Sequence, residues 1–76
     1  MKTLSFWKQM TGKQEIEIGK NYYFGQLWDG EYNGSEILES GSIAVEKWDG
    51  TKIVYFKVIE ENEDTLETIV EITDIL

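Results

Sequence analysis

The chain has 76 residues with no Cys, no His and no Arg, and its 15 acidic side chains against seven Lys leave a formal charge of −8. That composition excludes thiolate and imidazole catalysis and the usual zinc and haem sites, and it disfavours direct binding to nucleic acid or to an anionic membrane, which calls for a basic, Arg-bearing face. A single domain over residues 1–76 hides only about 60% of the surface its unfolded chain exposes, so its stability must rest on three Trp, four Tyr and three Phe and on β-branched packing.

Residues 1–12 predict a short helix or arm. Leu4, Trp7 and Met10 recur at intervals of three, Thr3 offers an N-cap, and Gly12 suits the residue just past the end. From Gln14 the period changes to two. Glu15-Ile16-Glu17-Ile18 alternates polar and apolar as a half-buried strand does, and Gly19-Lys20-Asn21 interrupts it. The aromatic run Tyr22 to Trp28 predicts a second strand, with Gly25 marking a bulge or a close approach.

Trp-Asp-Gly occurs twice, at 28–30 and 48–50. Asp-Gly between β-prone runs signals a hairpin, because Gly takes the positive φ of a tight turn. The second copy joins Ser42–Lys47 to Lys52–Ile59. A two-residue Asp-Gly turn would set Lys47 against Lys52, a like-charge pair. A three-residue turn pairs Glu46 with Lys52 and Val45 with Ile53 and is the preferred register. Ile53–Ile59 is apolar on nearly both faces and should be central in its sheet. Between the two turns, Glu36–Glu39 lies among loop residues. Glu60–Asp64 predicts a polar turn, Thr65–Thr73 a last alternating strand, and Ile75-Leu76 an apolar end that tucks into the core or a dimer contact.

Five or six short antiparallel strands in so small a chain leave edges to cover, and closure covers them. The expected fold is therefore mostly β: a small antiparallel barrel, SH3-like or OB-like, over residues 14–74, with a short N-terminal helix. A meander crossed by the helix is the alternative. The opening residues lack the unbroken apolar core of a signal peptide, and no stretch has the apolar length of a membrane span, so a cytoplasmic protein is expected.

Charge is segregated along the chain. Residues 1–14 hold Lys2, Lys8 and Lys13 with no acid, a charge of +3. Residues 58–76 hold Glu60, Glu61, Glu63, Asp64, Glu67, Glu71 and Asp74 with no base, a charge of −7. Asp29, Glu31, Asn33 and Gly34 match the opening positions of an EF-hand loop, yet Ser40 stands where the bidentate Glu belongs, so an ordinary turn is the stronger reading. Glu15 and Glu17 share a strand face at about 6.6–6.8 Å, a spacing used by inverting glycosidases. A chain this short rarely encloses a sugar cleft, and a solvated face explains the pair better.

No enzyme and no cofactor is expected. The expected function is a non-catalytic binding module whose partner is a protein with a basic surface. The partner-binding residues are Tyr22, Tyr23, Trp28 and Tyr32 with Glu60, Glu61, Glu63, Asp64, Glu67 and Glu71: acids steer association and rings supply contact energy. In type, this composition resembles the small acidic inhibitors of phages and mobile elements, which can mimic the charge row of a nucleic acid. The alternative is a homo-oligomeric structural or assembly protein, with a homodimer formed through the apolar ends.

Overall fold

The computed structural model describes residues 2–9, 11–28, 34–62 and 67–76. The chain is mostly β and forms two antiparallel sheets. Strands β1 (Thr3–Lys8) and β2 (Gly12–Glu17) make a two-stranded hairpin. The second sheet has four strands in the order β3 (Asn21–Tyr23), β6 (Glu67–Ile75), β5 (Gly50–Asn62), β4 (Ser42–Lys47). A 3-10 turn, Phe24–Gln26, and a seven-residue helix, α1 (Gly34–Ser40), complete the described elements.

The expected N-terminal helix is a strand instead. Leu4, Phe6 and Lys8 point inward and Thr3 and Trp7 outward, so period two wins over the Leu4-Trp7-Met10 spacing. The reason is tertiary. A two-turn helix is marginal by itself, whereas six residues of β1 pair with β2, from Thr3 opposite Glu17 to Lys8 opposite Gly12.

Two further expectations fail locally. Tyr22–Trp28 is not one strand, for β3 ends at Tyr23 and the 3-10 turn follows, tied by the Gln26 side chain, whose Oε1 accepts the Tyr23 N–H at 3.0 Å. Gly25 lies in that turn with open space where a Cβ would stand, so neither a bulge nor a backbone approach that a side chain would block explains it. The 36–39 segment is helical, because Ile37 and Leu38 pack against the core. The helix ends where Gly41 donates to the Ile37 carbonyl at 3.2 Å and takes φ +70°. A Cβ there would stand 3.2 Å from the Phe56 carbonyl, and the Phe56 N–H donates to the Gly41 carbonyl at 2.8 Å.

The β4–β5 hairpin has the expected first strand and a different register. Lys47 faces Gly50, Glu46 faces Thr51, Val45 faces Lys52 and Ala44 faces Ile53. The loop residues are Trp48 and Asp49, and Gly50 at φ +133° opens β5. Neither register weighed from the sequence is adopted. Core phasing excludes the Glu46–Lys52 register, which a one-residue shift separates from this pairing with Ile43, Val45, Val54 and Phe56 all buried on one face. The Lys47–Lys52 register keeps that face and is disfavoured by its like-charge pair. β5 is central, as its apolar run implies, and continues through Asn62, so Glu60-Glu61-Asn62 is strand rather than turn.

The two sheets are joined through residues 18–20, a turn between β2 and β3. The Ile18 N–H donates to the Lys2 carbonyl beside the hairpin, and the Gly19 N–H donates to the Ile72 carbonyl of the second sheet. Among the described residues no closed barrel is formed, because β1 and β4 are not hydrogen-bonded to each other. The core lies between hairpin and large sheet: Leu4, Phe6 and Ile16 from one side, Val54, Phe56, Val70, Ile72 and Ile75 from the other. Ile75 is buried, whereas Leu76 is 58% exposed.

Candidate partner-binding face

β5 outruns its neighbour. β4 reaches only Tyr55, through Ser42, and Gly41 covers Phe56. Beyond that point β5 pairs with β6 alone, down to Asn62 opposite Glu67. The result is a two-stranded arm extending from the packed sheet. β3 covers its β6 side only from Glu71 to Ile69.

Strand alternation decides which side chains share a face. Val54, Phe56, Val70 and Ile72 point into the core, so their neighbours point out. Across the outer face the register places Tyr23, Ile69 and Glu60 in one row and Asn21, Glu71 and Lys57 in the next. Tyr55 and Asp74 form a third, and Glu67 stands opposite Asn62 at the arm's outer end. A register shift between Val58 and Glu60 leaves Ile59 unpaired and 47% exposed. That extra residue is what turns Glu60 to the outer face.

The expected site residues divide accordingly. Tyr23 is 52% exposed and joins Glu60, Glu67 and Glu71 on the outer face. Glu61 pairs with Thr68 and lies on the opposite face of the arm. Tyr22 turns toward the core, with its hydroxyl oxygen accepting the Glu17 N–H at 2.9 Å. Trp28 is half-buried, its ring 5.5 Å from that of Phe24. These two rings are structural. Tyr32, Glu63 and Asp64 lie outside the described residues, as do Asp29, Glu31 and Asn33 of the EF-hand-like stretch. Among the described residues no group of three acids is placed to hold a metal ion.

Sequence reading missed Tyr55, Ile69 and Asp74. All three follow from alternation once the β5–β6 register is known, but the two register shifts in that pair have no sequence signature. The face is not uniformly negative. Lys57 Nζ lies 3.6 Å from Glu71 Oε1 on an exposed surface, a pair contributing about 0–1 kcal/mol. The other ion pair among the described residues joins Lys20 to Glu17 at 3.2 Å at the bend between the sheets. The Glu17 carboxylate, by hydrogen bond and by charge, raises the Lys20 amine above its ordinary value of 10.5.

Compared with known proteins, the chain matches no family model, no curated protein and no solved structure. No helix among the described residues is long and apolar enough to cross a membrane. Any functional reading therefore stands on this geometry alone.

Proposed function

We propose that the protein is a non-catalytic binding module that docks a basic protein partner on the outer face of the four-stranded sheet. One observation carries this reading: the register sets Tyr23, Ile69 and Glu60 side by side, flanked by Glu71 and Glu67. Exposed ring and aliphatic surface there adjoins carboxylates that no core contact requires. Carboxylates of this kind raise the encounter rate with a cationic surface, and the ring and Ile69 supply desolvated contact.

Paired capture from a cell lysate tests it. Baits are the parent protein, a Glu60→Lys, Glu67→Lys, Glu71→Lys variant, and Tyr23→Ser, each washed at about 0.05 M and about 0.5 M salt. A basic protein held stoichiometrically by the parent at low salt, and lost from both variants, is the expected result. The same proteins on all three baits at both salt levels would end the proposal. A nucleic-acid-mimicking mode is the narrower form of this reading, and it requires that the partner's own nucleic acid displace the protein competitively. Self-association through the apolar ends, the assembly alternative, shows as a concentration-dependent mass without any partner.

A further inference from the structure

Because the sheet does not close, one seam remains, between β1 and β4. A cleft of about 440 Å³ occupies it. Its floor is core: Phe6 from β1, Ile43 and Val45 from β4, and Leu27 from the segment after the 3-10 turn. Trp28 stands in its wall, braced on the Phe24 ring. A cleft of this volume, with an apolar floor and a lining that is as polar as it is apolar, can take a small molecule that offers both kinds of surface.

The polar group is unusual. Lys8 is the third inward-facing residue of β1, after Leu4 and Phe6, and it is only 6% exposed. Its Nζ donates to the Gly25 carbonyl. An ammonium has three donors, and among the described residues no carboxylate comes within ion-pair distance of this one. Among the described residues Glu46 is the single acid lining the cleft, and it is exposed on the outward side of β4. Buried charges are ordinarily paired, since a carbonyl dipole compensates only part of the lost hydration. The wall that carries Lys8 also belongs to the basic segment of the chain, with Lys13 opposite Trp7 on β2 and no acid before Glu15.

We infer that the β1–β4 seam binds a small, flat, apolar organic anion. Its carboxylate takes the free donors of Lys8, and its ring lies against Trp28, Ile43 and Val45. The cation selects the charge, the aromatic and branched walls select a planar body, and the volume limits it to roughly one or two fused rings. None of Tyr23, Tyr55, Ile69, Glu60, Glu67 and Glu71 borders the cleft, so this site is independent of the partner-binding face and fails or stands separately.

The test uses 2-naphthoate and its neutral isostere 2-naphthamide, titrated into the ¹⁵N-labelled full chain. Naphthoate should shift the Trp28 indole N–H together with the Phe6–Gln9 and Ile43–Glu46 amides, and bind roughly tenfold tighter than the amide. Lys8→Gln should remove that advantage by weakening naphthoate more than naphthamide, while Lys8→Arg keeps part of it. Equal affinity for acid and amide, shifts centred elsewhere, or no naphthoate binding at millimolar concentration overturns the inference. Should the Lys8 variants not fold, the acid–amide comparison on the parent protein decides alone.

Discussion

The hairpin β1–β2 and the arm at the far end of β5–β6 are both two-stranded ribbons, yet they carry opposite burdens. The hairpin turns Leu4, Phe6 and Ile16 onto the large sheet and closes the core. The arm beyond Phe56 has, among the described residues, no strand on the β4 side of β5, and it leaves Ile59, Glu60, Glu61 and Glu67 in solvent. One ribbon is held by what it buries, the other by the register continued from the sheet. Both ribbons carry mixed charge, Lys8 and Lys13 with Glu15 and Glu17 in the hairpin, and Lys57 with Glu60, Glu61, Glu67 and Glu71 in the arm, and only the arm is strongly negative in balance. Residues free of packing duty are the ones available for recognition, and that is why the arm side was assigned the partner.

The largest expected effect tests this division directly. Ile16 is fully buried, so Ile16→Ala should destabilise by about 2–4 kcal/mol through lost burial plus a cavity. Ile59→Ala on the arm should change stability by no more than about 0.5 kcal/mol, as for an ordinary surface site. Urea unfolding of both variants measures the contrast. Comparable losses would mean that Ile59 is covered in solution, and the arm would then have to be an interface.

How much of this was legible depends on which residues face inward. β4 could be read from residues because Ile43 and Val45 alternate cleanly between Gly41 and the Trp48-Asp49 turn. β1 could not, because its inward set is Leu4, Phe6 and Lys8, and a buried lysine breaks the apolar alternation that identifies a strand. The residue that concealed the strand is the one that gives the seam its charge. On the partner face, Tyr23 and the glutamates were readable as exposed candidates. Their neighbours were not, since the shifts at Tyr55/Phe56 and Val58/Glu60 match no local motif in the sequence. Tyr22 and Tyr23 are adjacent in sequence and opposite in role, and only the pairing of β3 with β6 tells them apart.

Where the arm departs from the packed sheet, Gly41 is the junction. Its left-handed φ and the nearby Phe56 carbonyl predict that Gly41→Ala costs about 1–3 kcal/mol, with hydrogen exchange rising first at the Phe56 amide. Exchange unchanged at Phe56 would show that the junction does not hold β5. The two tyrosines sharpen the comparison further. Tyr22→Phe leaves the Glu17 N–H without its 2.9 Å acceptor and should cost about 1 kcal/mol, whereas Tyr23→Phe, exposed on the partner face, should be neutral in stability and altered in binding. A neutral Tyr22→Phe would mean that water replaces the phenol and that the bend between the sheets is open.

The smallest effect separates the two ion pairs. Glu17 raises the Lys20 amine above 10.5, so the folded state holds that proton more tightly than the unfolded one. The contribution is complete below the unfolded value, neutral pH included, and disappears as pH rises through the higher folded one, so stability varies with this group only in alkaline solution. A ¹⁵Nζ titration of Lys20 should read above its ordinary value and return to it in Glu17→Gln. Glu71→Gln, on the arm side, should leave Lys20 where it was. If Glu71→Gln moved Lys20 as far as Glu17→Gln does, the bend and the outer face would form one electrostatic unit, and the separation between the structural end of the molecule and its recognition face would fail at the charge level.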